Sequence, residues 1–114
     1  MSTVLRQSFA AVATQIASSA NAEVTTASNE VVAIDKCLVF NTNSTIETIK
    51  GYIETSGGSP GANDQVFEVS VPGGEHEDII AALNITLGNS QSLFFLTTTA
   101  SKVNLHLSGR RIVG

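Results

Sequence analysis

Several things are scarce in this chain, and each scarcity narrows what the protein does. There is one cysteine, Cys37. An intramolecular disulfide is therefore impossible, and a zinc site would need its other ligands from elsewhere. The neighbours Leu38, Val39 and Phe40 are apolar, so Cys37 reads as a buried core thiol. Tryptophan is absent and there is a single tyrosine, which leaves a sugar-stacking platform without material. Charged residues make up 14% of the 114-residue chain, against about 25% in an ordinary domain. The net charge of −4 and the lack of a basic stripe argue against nucleic-acid binding. The one basic cluster, Arg110-Arg111, reads as a solvated terminus or a protein contact. No apolar run reaches the roughly 18 residues that span a bilayer. Residues 1–22 end in Ala20-Asn21-Ala22, an A-x-A-like site, but Ser8, Thr14, Gln15, Ser18 and Ser19 interrupt the apolar stretch before it. A secretory signal is thereby disfavoured.

Catalytic material is equally thin. The two histidines stand far apart in sequence. His106 falls on the polar side of an alternating run and reads as an exposed strand residue. His76 lies in Glu75-His76-Glu77-Asp78 after Pro72-Gly73-Gly74, which reads as a solvated loop, because consecutive loop residues seldom aim at one ion. No G-x-S-x-G elbow is present. Gly57-Gly58 lacks the lysine and helix of a phosphate loop. Asn43-Ser44-Thr45 and Asn84-Ile85-Thr86 fit a glycosylation triplet that often arises by chance. The expectation is a non-enzyme with no cofactor and no metal.

What the chain has in quantity is apolar residues, at 42%, enough for one core in one domain. From Glu30 onward they recur at period 2. Val31 to Phe40 is a ten-residue run broken by Asp35 and Lys36, and Asn41-Thr42-Asn43-Ser44 reads as a turn. Thr45 to Thr55 carries Ile49, Gly51 and Ile53 on one face. Residues 56–64 are a loop. Phe67, Val69 and Val71 alternate with polar residues, as do Ile79, Ala81, Leu83, Ile85 and Leu87. Gly88-Asn89-Ser90 turns the chain into a strand from Leu93 to Thr99. Ala100-Ser101 turns it again into Val103, Leu105 and Leu107. Five or six strands joined by Gly/Asn/Ser turns predict an all-β fold, an antiparallel sandwich of jelly-roll type over residues 29–114. Its expected inward residues include Phe67, Val69, Ile79, Leu83, Ile85, Val103, Leu105 and Leu107.

Residues 1–28 are rich in Ala, Ser and Thr. Leu5, Phe9, Val12 and Ile16 fall at helical spacing, but propensity is diluted and no cap precedes them. The segment reads as an N-terminal arm or edge segment, helical or extended, whose four apolar residues form an interface with a neighbour.

The opening Val4-Leu5-Arg6-Gln7, the strand and turn Lys36-Cys37-Leu38-Val39-Phe40-Asn41-Thr42, and the Gly57-Gly58 loop resemble motifs of small β-sandwich virion proteins of tailed bacteriophages. Leu83-Asn84-Ile85-Thr86-Leu87-Gly88 and Val103-Asn104-Leu105-His106-Leu107-Ser108-Gly109 resemble the closing hairpin of that family. Its turn often carries Gly-Asp where this chain has Gly88-Asn89-Ser90. The resemblance implies a capsid decoration (cement) protein, made in the host cytoplasm and placed on the capsid surface of the virion. Its partners would be the major capsid protein, other virion proteins and itself, as a homotrimer or a dimer. Nucleic acid and membrane are not expected partners. A tail, neck or fibre-associated virion module is the alternative, and a secreted adhesin or pilin-like sandwich a third.

Overall fold

The computed structural model describes residues 5–8, 12–79 and 85–113. They form an antiparallel β-sandwich of two sheets. The strands are β1 (Leu5–Ser8), β2 (Val12–Gln15), β3 (Asn21–Thr25), β4 (Glu30–Asn41), β5 (Glu47–Thr55), β6 (Gln65–Val71), β7 (His76–Asp78), β8 (Ile85–Leu87), β9 (Gln91–Thr97) and β10 (Val103–Val113). The first sheet runs β1/β2–β10–β4–β7/β8, and the second β3–β9–β5–β6.

The longest ladder joins β4 to β10. It explains the charged interruption in the apolar run. Ser108 pairs with Lys36, but Gly109 pairs with Ile34, so Asp35 is an extra residue that bulges from β4. The bulge shifts the inward parity of the strand. Val32 and Ile34 point inward before it, and Cys37, Val39 and Asn41 after it, while Asp35 and Lys36 both face water. A strand of 12 residues thereby keeps one buried face from Val32 to Asn41.

The core lies between the sheets and is built mainly from Ile16, Val32, Val39, Ile49, Val71, Leu87, Leu93, Phe95, Val103 and Leu105, all fully buried. The alternating positions behave as expected. Phe67, Ile79, Ile85, Val103, Leu105 and Leu107 are buried, and Val69 is half-buried against the core. Leu83 lies outside the described residues. The single long strand expected from Ile79 to Leu87 is strand only at Ile85–Leu87 among the described residues. Before it, Glu75–Asp78 is not simply a loop: His76, Glu77 and Asp78 pair with Phe40, Val39 and Leu38 of β4. Their side chains remain exposed, which is why hydrophobic periodicity does not reveal this strand.

The N-terminal region is extended where it is described. Leu5–Ser8 and Val12–Gln15 pair with β10, and Asn21–Thr25 pairs with β9. Residues 12–25 therefore pair into the sandwich. Between the strands, the Ile16 amide donates to the Val103 carbonyl at 2.9 Å and the Thr97 amide to the Ala17 carbonyl at 3.0 Å. The crossing segment thus ties one sheet to the other.

Turn chemistry supports the ladders. Ser90 and Ser101 take left-handed φ values of 54° and 61° in the two turns that flank β9. Thr26 Oγ1 donates to the Gly88 carbonyl at 2.6 Å and accepts from the Gln91 amide at 2.9 Å. At the opposite end, wholly buried Asn41 donates from Nδ2 to the carbonyls of Thr45 and Val71, both at 2.9 Å. Its Oδ1 accepts from the Asn43 amide at 2.8 Å. One side chain thereby bonds three backbone groups where β4 leaves its sheet.

In the second sheet, Gly51 lies opposite Phe67 on β6 and Phe95 on β9. The Phe67 ring fills the space a side chain would take: a Cβ on Gly51 would stand 2.0 Å from it. The two phenyl rings meet edge to face at 5.6 Å. Gly51→Ala should therefore cost about 1–3 kcal/mol through overpacking, read as a lower urea midpoint with unchanged slope. An unchanged midpoint would contradict this packing.

Candidate assembly surface

The titratable side chains do not converge. His76 on β7 and His106 on β10 stand on either side of β4, opposite Phe40 and Leu38 respectively. Among the described residues, no three of His, Cys, Asp and Glu are placed to hold a metal ion. Glu47 is the one deeply buried carboxylate among them, at 1% exposure. It accepts from the Thr99 amide at 2.8 Å and from Asn43 Nδ2 at 3.2 Å. Those bonds tie the β4–β5 turn to the chain beyond β9, a bracing role.

Arg110 and Arg111 divide their tasks. Arg110 is exposed and reaches Asp35 on the bulge, with Nε 3.3 Å from Oδ2. Arg111 is half-buried, and its Nε lies 3.0 Å from Glu30 Oε2. Glu30 also accepts from the Ala27 amide at 2.8 Å. The pair joins β10 to the start of β4 and is an internal contact of the sandwich.

The four residues expected to form an interface fall in different places. Ile16 is wholly buried in the chain's own core. Val12 is half-buried and packs against that core. Leu5 belongs to β1, its backbone opposite Val113. Phe9 lies outside the described residues. Leu5 and Val12 thus lie on two strands, and Ile16, just past the end of β2, is covered within one chain.

The sheet edges form the surface best suited to contact. β7 is short and polar, as His-Glu-Asp with two carboxylates, and these are features that discourage edge pairing. β3 is guarded differently. Ala22 pairs with Phe94 and Val24 with Leu93, so Glu23 bulges from the edge. Asn21 Nδ2 donates to Glu23 Oε1 at 3.0 Å. Burial raises the Glu23 pKa above the usual carboxylate value, and the Asn21 hydrogen bond partly opposes this.

β6 is less guarded. It has seven residues and pairs only with β5 among the described strands. Val66 is 44% exposed on it, at an irregularity where Phe67 pairs with Gly51 but Gln65 pairs with Tyr52. Beside this edge a groove of about 310 Å³ opens toward β7 in the other sheet. Its lining is apolar from Val66, Phe67, Val69 and Ile79 and acidic from Glu68, Glu77 and Asp78. Hydrophobic alternation identified Phe67 and Val69 in the sequence. It could not show that β6 would be the outermost strand.

No family model matches the chain, and no curated protein matches its sequence. Solved structures do. A chain from Bacillus endospore appendages, described as a novel family of disulfide-linked pili, is 20% identical with a TM-score of 0.59. The match covers 97% of this chain and 88% of the pilus chain. A chain of infectious bursal disease virus, Gx strain, is 12% identical, with a TM-score of 0.44, over 98% of this chain but 33% of its own length. The VP2 subviral particle of the same virus gives 13% identity and a TM-score of 0.40, over 96% of this chain and 32% of that one. What this chain shares with the pilus chain is its fold.

Two outcomes follow from the environments of Cys37 and Glu23. Cys37 is fully buried on β4. Burial first, and the Asp78 carboxylate second, push its thiol pKa up to about 12. The folded protein should resist thiol reagents at pH 8 and run as a monomer on non-reducing gels, with labelling only after denaturation. Rapid labelling of the native protein would contradict this burial. Glu23 has a folded pKa above its unfolded value, so its ionised form weakens the fold at neutral pH. That penalty is relieved as pH falls through the folded pKa toward the ordinary value. Glu23→Gln should therefore raise the melting temperature at pH 7, and the gain should shrink as the pH is lowered toward 4. A gain that persists unchanged at low pH would show another cause.

Proposed function

We propose that this protein is a non-enzymatic structural subunit that works by assembling with copies of itself or with other structural proteins through its sheet edges. The observation that carries this reading is β6, an outer strand with exposed Val66 beside an apolar groove. Such an edge is a liability in a solitary protein and a contact in an assembling one. The low charge content supports the same reading, because Ser, Thr and Asn lose less on desolvation than charged residues do.

Two kinds of assembly fit. A fibre is favoured by the fold shared with a pilus chain over nearly the whole of both chains. Unlike the disulfide-linked pili named for that chain, a fibre of this protein would be held without cysteine cross-links, because its one cysteine is buried. Decoration of a tailed-phage head shell, as a homotrimer bound to the major capsid protein, is favoured by the motifs around Lys36–Thr42 and Val103–Gly109. In either assembly Leu5 and Phe9 are the residues of the N-terminal segment proposed to reach a neighbour.

Electron microscopy of the purified protein across a concentration series tests the reading. The expected result is fibres or discrete oligomers that reductant leaves intact. Removal of residues 2–11 should leave the fold in place and reduce assembly. A protein that stays monomeric at millimolar concentration and on candidate shells would overturn the proposal.

A further inference from the structure

We infer that the β6 edge accepts an extended strand from another protein chain, and that this strand is apolar on its inward side and basic elsewhere along its length. The inference rests on the assembly reading and specifies the partner's chemistry. Three features of the groove carry it. First, β6 is the last strand of its sheet, and none of the described residues pairs with its outer side. An added strand can therefore continue the sheet by main-chain hydrogen bonds, which supply affinity without regard to side chains. Second, the groove beneath this edge is lined by Val66, Phe67, Val69 and Ile79. Alternate side chains of an added strand point that way, and only apolar ones match such a lining. Third, every charge on the lining is negative: Glu68 from β6, and Glu77 and Asp78 from β7.

Glu68 is shared with Lys50, but at 3.8 Å and with half of its side chain exposed, so most of its field remains available. A strand bearing carboxylates would meet like charge there. A strand bearing lysine or arginine on its outward side would meet opposite charge in Glu68 beside it, and the carboxylates of β7 add to the same negative field. Electrostatic complementarity of this kind chooses the partner and speeds its arrival, while the backbone ladder holds it. Glu68 and Lys50 are neighbours across the β5–β6 ladder, so the incoming base would extend a row of alternating charge across the sheet.

The experiment is an NMR titration of the full chain with two blocked peptides, one alternating valine and lysine, the other alternating valine and glutamate. The valine–lysine peptide should shift the amides of β6 and Ile79, and its affinity should fall with added salt. The acidic peptide should leave those amides unmoved. Glu68→Gln combined with Glu77→Gln should weaken the basic peptide by roughly threefold to tenfold, with the spectrum otherwise that of a folded protein. Equal shifts from both peptides, or shifts located on another edge, would overturn the inference. Sedimentation of the unmodified protein separates this failure from that of the broader reading. An assembling protein that ignores the basic peptide refutes the strand chemistry alone. A permanent monomer that binds it refutes self-assembly and retains the groove as a docking site for another chain.

Discussion

The β4–β10 ladder is the constraint on which the rest of the sandwich depends. Eleven register pairs join the two strands, and their free sides carry β1, β2, β7 and β8. Every strand of the first sheet is therefore positioned by this pair. The ladder can be that long and still serve one core only because Asp35 bulges. A regular ladder would have turned either Val32 and Ile34, or Cys37 and Val39, out to water. Arg110 reaches back to Asp35 from the facing strand, so the bulge has its own electrostatic support.

Polar side chains finish what the ladders leave open. Asn41 holds the point where β4 leaves the first sheet for the second, and Glu47 ties that turn to the end of β9. Thr26 does the same work at the other end of the sandwich. Such sites tolerate little change, because removing one partner leaves the other buried and unbonded. Asn41 and Thr26 do this work with short uncharged side chains that bond to backbone groups, and Glu47 with a buried carboxylate that takes one backbone and one side-chain donor.

Much of this was legible in the sequence, for physical reasons that differ along the chain. Val103, Leu105 and Leu107 announce a strand because one face is buried and the other wet, and period 2 follows directly. The same logic finds Phe67 and Ile85. It fails at β7, where both faces are exposed and three polar residues carry no period at all. It misleads at Val12 and Ile16, whose separation of four residues imitates a helical stripe. Ile16 in fact lies just past the end of β2, where the chain crosses to the other sheet. Asp35-Lys36 was visible as an interruption, but its meaning as a bulge depends on the register with β10. The groove beside β6 was not legible at all. Phe67 and Ile79 are distant in the chain, and strand order across two sheets brings them to one surface.

The proposed assembly rests on a tightly paired interior and a lightly guarded edge. Hydrogen–deuterium exchange on dilute and concentrated protein tests that account most directly. The amides of β4 and β10 should exchange slowly at both concentrations, and those of β6 should exchange readily in dilute solution and become protected as concentration rises. An exchange pattern for β6 that is the same in both samples, with no other edge strand gaining protection, would contradict assembly through the sheet edges.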